Sequence, residues 1–213
     1  MGTSVTQQRI IGLTGGIATG KSTVSEYLAT AHNLPILDAD VYARQAVEKG
    51  SQILAAIAQR YGPNILLKEG TLNRSALGDI IFSDATEKTW VEQQNHPFVR
   101  AKFSQITSTF SPEQTLVYAI PLLFEANLTY LVTETWVVFC TPEQQEQRLM
   151  ARNALTADAA NSRINSQLDI REKCRQATHV INNTTTLDSL FAQVDRLLHR
   201  KQTLHPLFMP NGQ

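Results

Sequence analysis

Cysteine is scarce in this sequence, and neither sign of charge is in excess. Two of the 213 residues are cysteines, Cys140 and Cys174, and neither belongs to a C-x-x-C pair or has a histidine at metal-ligand spacing. This argues against a disulfide framework and a zinc site and favours an intracellular protein. The 19 basic and 19 acidic residues give a net charge of zero. We therefore expect neither nucleic acid nor a membrane surface as a partner.

Long apolar segments are also missing. None reaches the roughly 18 residues that a membrane-spanning helix needs. Residues 1–8 are polar and lack the apolar core of a secretory signal. We expect a soluble, cytoplasmic protein that is a monomer or a weak homo-oligomer.

The apolar residues that are present form five short, β-branched runs with helical segments between them. This alternation is typical of a parallel sheet covered by helices, and 213 residues suffice for one such domain. We predict a doubly wound α/β fold with a five-stranded parallel sheet. The predicted strands are Arg9–Leu13, Pro35–Leu37, Thr115–Ile120, Thr135–Cys140 and His179–Ile181.

Helical patterns fill the long interval between the second and third strands. Residues 51–61 have helical spacing, Asn73 is a candidate cap for a helix over 74–82, and a further helix is expected over 85–110 with a break at His96-Pro97. We interpret residues 41–114 as an inserted helical lobe.

A second helical insertion is expected between the fourth and fifth strands. Thr141-Pro-Glu-Gln144 has the form of a capping box with proline at the first helical position. Another helix is expected to begin near Thr156, and residues 142–176 are interpreted as a lid. The pattern also predicts a closing amphipathic helix over 187–198 and a loosely ordered tail over 205–213.

Residues 15–22, Gly-Gly-Ile-Ala-Thr-Gly-Lys-Ser, fit the phosphate-binding pattern G-x-x-x-x-G-K-[ST] at every fixed position. A predicted strand precedes them and a predicted helix follows, as this motif requires. Glycine lets the backbone N–H groups face inward, and the helix N-terminus adds partial positive charge. Lys21 is then expected on the β- and γ-phosphates of ATP and the Ser22 hydroxyl on Mg²⁺. The predicted ATP-binding residues are Gly15, Gly16, Ile17, Ala18, Thr19, Gly20, Lys21, Ser22 and Thr23.

Two kinds of P-loop protein are disfavoured by what the sequence lacks. It has no Asn-Lys-x-Asp guanine-binding string, and its third and fourth predicted strands do not end in an acidic Walker B residue. The available carboxylates follow the second strand, where Asp38 and Asp40 are expected to face the transferred phosphoryl group. One is expected to accept a proton and the other to hold Mg²⁺. The alternative is that the pair only caps a helix over 41–48.

Several further strings, taken together in order and spacing, resemble the dephospho-CoA kinase family over nearly the whole chain. They are residues 13–23, Asp38-Ala-Asp40, Gly70-Thr-Leu-Asn-Arg74, His96-Pro97, Ile120-Pro-Leu-Leu-Phe-Glu125 and Val180-Ile-Asn-Asn183. The resemblance implies transfer of the γ-phosphoryl group of ATP to the ribose 3′-hydroxyl of dephospho-CoA. It also implies a nucleotide core, a helical CoA lobe and a lid.

This resemblance suggests roles for individual residues. Asp38, Lys21 and Arg152 are expected to be catalytic, with Asp38 as the base and Arg152 on the migrating phosphoryl group. Arg148 and Asn183 are expected to bind the nucleotide, and Ser22 and Asp40 the metal. The expected substrate-binding residues are Asp40, Arg44, His96, Pro97, Arg100, Pro121 and Glu125.

The chain departs from the family pattern at two positions. The family often has Asp where this chain has Ala119, and Asp is frequent where it has Asn182. The first departure removes a possible third carboxylate, and the second lies near the expected adenine site. Two alternatives remain at this point: a kinase for another nucleoside or nucleotide, and a protein that uses ATP as a switch and transfers nothing.

Overall fold

The computed structural model describes residues 8–200 of the chain. Within them lie five strands and nine α-helices. The strands are β1 (Ile10–Gly15), β2 (Ile36–Asp38), β3 (Leu116–Ala119), β4 (Glu134–Phe139) and β5 (His179–Asn182). The helices are α1 (Lys21–His32), α2 (Ala39–Ala46), α3 (Gln52–Tyr61), α4 (Arg74–Ser83), α5 (Ala85–Thr107), α6 (Pro142–Asn153), α7 (Ala157–Asn165), α8 (Ile170–Gln176) and α9 (Leu187–Leu198). The predicted tail over 205–213 lies outside the described residues.

All five strands are parallel and lie in the order β2-β3-β1-β4-β5. The predicted five-stranded parallel sheet is therefore confirmed. In register, Leu13 of β1 faces Ala119 of β3 on one side and Trp136 of β4 on the other. Asp38 of β2 also faces Ala119. The carboxyl ends of β1, β2 and β3 consequently meet at one edge of the sheet, where ligands bind in open α/β folds.

Helices cover both faces of this sheet, as the doubly wound prediction requires. Successive strand residues point to opposite faces, so Val117 packs beneath α1 and α9 while Leu116 and Tyr118 pack against α2 and α5. On the first face the buried side chains are Ile11, Leu13, Val24, Leu28, Val117, Trp136, Val138, Ile181, Leu190 and Val194. The central strand β1 is thus held rigidly between two apolar layers.

Most of the predicted helical segment over 41–114 is helical, in α2 to α5, and part of it has an apolar core of its own. Leu54 and Ile57 of α3, Leu77 of α4 and Val91 of α5 are buried together in that core. Ser51 and Asn73 cap α3 and α4 by accepting hydrogen bonds from backbone N–H groups. Because α5 continues from this lobe core onto the sheet, the lobe is connected to the sheet through a helix and not only through loops.

The structure corrects the predicted break at His96-Pro97, because α5 is continuous from Ala85 to Thr107 with Pro97 inside it. A proline within a helix lacks one N–H and usually breaks or kinks the helix. Here Val91 precedes Pro97 in the lobe core, and Val99 and Phe103 follow it in the sheet core. Packing on both sides of the proline therefore holds the helix together.

Residues 142–176 form α6, α7 and α8. The predicted capping box is confirmed, since the Thr141 hydroxyl accepts a hydrogen bond from the Gln144 N–H and the Gln144 side chain accepts one from the Thr141 N–H. Helix α8 packs on the sheet through Ile170, which is buried against Phe124 and Val137. Among residues 8–200, no helix is both long enough and apolar enough to cross a membrane.

Candidate active site

The P-loop connects the central strand β1 to helix α1, at the carboxyl edge of the sheet. It turns through two residues with positive φ, Ala18 at 60° and Gly20 at 99°. No side chain of the described residues caps the N-terminus of α1. The first N–H groups of this helix are consequently available to a ligand, and an anion is the ligand that the helix N-terminus favours.

Side chains from distant parts of the chain hold this loop in place. Ile17 is fixed on both sides, because its carbonyl accepts a hydrogen bond from Gln145 Nε2 at 2.8 Å and its N–H donates one to Gln167 Oε1 at 2.9 Å. Asn183 Nδ2 donates to the carbonyl of Thr19 at 2.8 Å. These hydrogen bonds from the protein itself fix the shape of the loop.

The acidic pair lies where β2 passes into α2. Asp38 is the N-cap of α2, and its Oδ1 accepts a hydrogen bond from the Asp40 N–H at 2.8 Å. The helix begins at Ala39, two residues earlier than the predicted helix over 41–48, because this cap starts it earlier. Asp38 therefore does cap the helix, as the alternative interpretation predicted. This cap leaves Oδ2 of the same carboxylate free of that hydrogen bond.

Charges of both signs converge on Asp40. Much of Asp40 is exposed, yet desolvation by surrounding protein atoms and, next, the Asp38 carboxylate raise the pKa of its carboxyl group. The positive charges of Lys21 and Arg44 oppose that rise. Asp38, Asp40, Lys21 and Arg44 are thus close enough to interact electrostatically, which brings together four of the predicted site residues.

The residues around the P-loop suit the two groups that the motif implies, the phosphates of ATP and Mg²⁺. A Cβ added at Gly20 would collide with the Asn183 amide, so the loop is shaped for bare backbone at this position. Residues 8–200 contain no cluster of three or more His, Cys, Asp or Glu side chains. Mg²⁺ does not need such a cluster, because it commonly takes one or two carboxylates together with phosphate oxygens and water. Ser22 and Asp40 fit that requirement.

The two predicted arginines on α6 differ in what they contact. Arg148 is half-buried, and its Nη2 donates a hydrogen bond to the carbonyl of Asn183 at 2.9 Å. It lies beside Cys140, where burial raises the pKa of the thiol and Arg148 partly offsets the rise. Arg152 is exposed, and among the described residues its side chain hydrogen-bonds only to Asn153 Oδ1, at 3.0 Å. Arg148 therefore lies at the Asn183 segment, whereas Arg152 forms no hydrogen bond with the P-loop.

The predicted residues of α5 lie along its exposed side. His96 is half-buried, while Pro97 and Arg100 are exposed. Arg100 lines a cleft together with Ser104, Thr107, Tyr118 and Tyr130, among others. None of the other predicted site residues lines this cleft.

Pro121 and Glu125 belong to the turn that follows β3. The carbonyl of Pro121 accepts hydrogen bonds from Thr14 Oγ1 at 3.0 Å and from Lys173 Nζ at 3.1 Å. Glu125 Oε1 forms an ion pair with Lys173 Nζ at 2.7 Å and accepts a hydrogen bond from the Leu168 N–H at 3.1 Å. Both residues are therefore held in a network that extends to the segment after α7.

The sequence analysis missed three residues of this network, namely Gln145, Gln167 and Lys173. A signal was present for two of them. Lys173 follows the apolar Ile170 by three residues, and Gln145 precedes Leu149 by four, so each shares a helix face with a buried apolar residue. A polar side chain on a buried face needs an internal partner.

Comparison with known proteins gives one consistent result. A sequence model of the dephospho-CoA kinase family matches residues 9–189. The chain is 57% identical over 193 residues to the dephospho-CoA kinase of Nostoc sp. strain PCC 7120, and the alignment covers 90% of this chain and 97% of that protein. It is 53% identical over 201 residues to the dephospho-CoA kinase of Synechocystis sp. strain PCC 6803, with 94% and 100% covered. The solved dephospho-CoA kinase from Campylobacter jejuni superposes with a TM-score of 0.68 at 28% identity, with 90% and 96% covered.

Proposed function

The chain belongs to the dephospho-CoA kinase family, and from this premise we propose how its residues carry out the reaction. Its function is to transfer the γ-phosphoryl group of ATP to the ribose 3′-hydroxyl of dephospho-CoA, the last step of coenzyme A biosynthesis. ATP is the co-substrate. The observation that supports the residue assignment best is the convergence of Asp38, Asp40, Lys21 and Arg44 at the carboxyl edge of the sheet, beside the P-loop.

The P-loop binds the phosphates of ATP. Backbone N–H groups of residues 15–23 and the N-terminus of α1 surround the phosphate oxygens, and Lys21 neutralises charge on the β- and γ-phosphates. Ser22 and Asp40 hold Mg²⁺. The metal supplies further charge neutralisation at the phosphates. The convergence of Lys21 with the two carboxylates supports this arrangement.

Asp38 is the general base. Its Oδ1 is occupied by the Asp40 N–H, so Oδ2 is the atom that accepts the proton of the ribose 3′-hydroxyl as its oxygen attacks the γ-phosphorus. The phosphoryl group leaves ADP, and its bond to the substrate oxygen forms as the proton departs. Most of the rate enhancement comes from positioning and charge neutralisation.

The remaining predicted residues divide between the two substrates. The lobe over 41–114 binds dephospho-CoA, with Asp40, Arg44, His96, Pro97, Arg100, Pro121 and Glu125 on its side of the site. Residues 142–176 are a lid that closes over ATP and excludes water, which otherwise hydrolyses the γ-phosphate. Arg148 and Asn183 bind the nucleotide, and Arg152 reaches the migrating phosphoryl group. The Arg148–Asn183 hydrogen bond supports the shared role of that pair.

We further propose that the enzyme works in the cytoplasm as a monomer or a weak homo-oligomer. Both of its cysteines are free, Cys140 in the core and Cys174 half-buried on α8, and free cysteines suit a reducing compartment.

The test measures ADP release with Mg-ATP in the presence and absence of dephospho-CoA, with mass spectrometry of the acceptor, for the wild type and Asp38→Asn. Asparagine caps helices about as well as aspartate, so this variant removes the base and keeps the fold. We expect one phosphoryl group on dephospho-CoA and a fall in kcat of about 10²- to 10⁴-fold in the variant.

Other outcomes would overturn parts of the proposal. ADP release that never depends on an acceptor would contradict the kinase function. A variant with normal kcat would remove Asp38 as the base and leave the family assignment untouched.

A further inference from the structure

Lys173 is a fully buried lysine that lies directly behind the P-loop. Its side chain has 0% exposure. Its Nζ donates hydrogen bonds to the carbonyls of Gly15 at 3.3 Å and Pro121 at 3.1 Å, and it forms an ion pair with Glu125 Oε1 at 2.7 Å. An ammonium group has three N–H donors. Each of the three therefore has an acceptor.

Stability alone does not explain this arrangement. Burying an ammonium group is unfavourable unless it is paired, and well-packed apolar residues often replace a buried ion pair without loss of stability. The second carboxylate oxygen of Glu125 is also buried, and it has no hydrogen-bond partner among the residues that the structure describes. The pair thus retains an unfavourable feature next to the phosphate-binding loop.

The acceptors of Lys173 belong to two segments, and one of these contacts a third. Gly15 is the first residue of the P-loop. Pro121 begins the turn after β3, and its carbonyl also accepts a hydrogen bond from Thr14, the residue before the loop. Glu125 in turn accepts a hydrogen bond from the Leu168 N–H, in the segment that joins α7 to α8.

That same segment contacts the loop a second time. Gln167, which precedes Leu168, accepts the N–H of Ile17 in the P-loop. The base of the lid is thereby attached to the P-loop through Gln167 directly and through Leu168, Glu125 and Lys173.

We propose that Lys173 is a positioning residue, which holds the start of the P-loop, the turn after β3 and the base of the lid in one arrangement. Without its ammonium group the carbonyl of Gly15 loses the Lys173 donor, the carbonyl of Pro121 keeps only the hydrogen bond from Thr14, and the backbone N–H groups that follow Gly15 lose their alignment on the phosphates. The proposal deepens the proposed function, because it assigns a further residue to the same nucleotide site. It depends on the proposed function only where it treats residues 142–176 as a lid over the nucleotide.

The test compares three variants, Lys173→Met, Lys173→Met with Glu125→Gln, and Glu134→Gln, by melting temperature, by the Kd for ADP from calorimetry and by kcat. The single Lys173 variant leaves Glu125 buried without its cation, whereas the double variant removes that charge as well. Glu134→Gln is the matched control. Glu134 is a buried carboxylate paired with Arg9, and as the first residue of β4 it lies at the edge of the sheet opposite the P-loop.

A positioning role predicts different outcomes for stability and for binding. The double variant regains most of the melting temperature lost by Lys173→Met, but its Kd for ADP stays about tenfold or more above the wild-type value. In the single variant Lys173→Met, which keeps Glu125, kcat is about 10²-fold lower because misplacement of reacting groups is costly. Glu134→Gln lowers the melting temperature and leaves the Kd for ADP unchanged.

A purely structural role predicts recovery of ADP affinity together with the melting temperature in the double variant, and this outcome would overturn the proposal. So would a loss of ADP affinity in Glu134→Gln as large as in Lys173→Met. This test measures ADP binding, which involves no acceptor. A failure of the proposal for Lys173 is therefore distinguishable from a failure of the kinase function, because the dephospho-CoA assay on the wild type tests that function separately.

Discussion

Asp38 and Asp40 are close together because a single hydrogen bond starts helix α2. The Asp38 carboxylate accepts the Asp40 N–H and begins the helix, and the same contact brings the Asp40 carboxyl group near a like charge. Desolvation by surrounding protein atoms and, next, this like charge raise the pKa of Asp40, and Lys21 and Arg44 offset the rise only in part. Perturbed pKa values of this kind concentrate at functional sites, where residues needed for the reaction often lower the stability of the fold.

Replacing Asp40 with Asn should raise the melting temperature at neutral pH. A raised native pKa means that folding favours the protonated carboxyl group, so ionised Asp40 destabilises the native state. The difference between variant and wild type should vanish below the ordinary pKa of 3.8 and grow as the pH rises through the native value. Thermal unfolding followed between roughly pH 3 and pH 8 measures this difference.

The control for this experiment is Asp158→Asn, which removes a carboxylate from the first turn of α7. A lower melting temperature for Asp40→Asn at neutral pH would contradict the raised pKa. Activity should fall in the same variant, because Asp40 belongs to the proposed metal and substrate site.

Replacing Gly20 with Ala separates backbone strain from the shape of the phosphate site. Gly20 has a φ of 99°, and an added Cβ would collide with the amide of Asn183. Gly50 has a φ of 89° with open space around it, so Gly50→Ala carries similar strain without a collision. We expect both variants to lose about 1–2 kcal/mol of unfolding free energy and only Gly20→Ala to lose ADP binding, as measured by denaturant unfolding and calorimetry. Equal ADP affinity in the two would contradict the collision argument.

At the scale of elements, short-range chemistry made several helices predictable. The caps at Asn73 and Thr141 are confirmed, as are the start of α7 near Thr156 and the bounds of α9, since each depends on residues within one turn. The continuity of α5 through Pro97 was not predictable. It depends on packing against two different cores, and a sequence pattern does not show which distant side chains will surround a proline.

The lobe contains an ion pair that predicts a pH dependence of its stability. Arg60 and Glu87 pair at 2.7 Å, and hydrogen bonds from Arg60 and then Tyr61 lower the pKa of Glu87 to about 2. A lowered pKa contributes stability above the ordinary value of 4.5, and this contribution is lost as the pH falls from there to about 2. Glu87→Gln should therefore lower the melting temperature at neutral pH, by a difference that shrinks across this window.

Circular dichroism melts of both proteins between neutral and acidic pH measure this difference. Glu92→Gln is a suitable control, because Glu92 lies on the same helix and reaches Lys88 only at 4.0 Å between exposed side chains. A constant difference between Glu87→Gln and the wild type at every pH would show that packing, and not the ion pair, accounts for the loss.

At the scale of the whole molecule, the sheet and the P-loop were predictable and the contacts that join them to the lid were not. The alternation of strands and helices indicates a parallel sheet, and the P-loop motif indicates which strand precedes the phosphate site. The contacts of Ile17 with Gln145 and Gln167 and of Gly15 with Lys173 span 128, 150 and 158 residues. Such pairings depend on the three-dimensional path of the chain, which residue spacing does not encode.

The proposed role of Arg152 predicts that the proposed lid closes during the reaction. This side chain is exposed on α6 and among the described residues hydrogen-bonds only to Asn153, so we expect α6 and α7 to move towards the sheet when it reaches the γ-phosphate. Arginines that stabilise a migrating phosphoryl group contribute about 10³- to 10⁵-fold to kcat. Arg152→Ala should therefore lower kcat by a factor in that range while the Kd for ADP changes little.

Steady-state kinetics and hydrogen exchange together test this closure. With ADP and dephospho-CoA bound, amide exchange in α7 should slow in the wild type, because closure restricts opening of a helix that has only Ala160 buried, whereas the buried strand β1 should exchange as slowly as before. Arg196→Ala, an exposed arginine in the last turn of α9, is the control and should retain full activity. If Arg152→Ala keeps its kcat, the lid closes without this arginine on the phosphoryl group, and Arg148, already in contact with Asn183, becomes the candidate for that role.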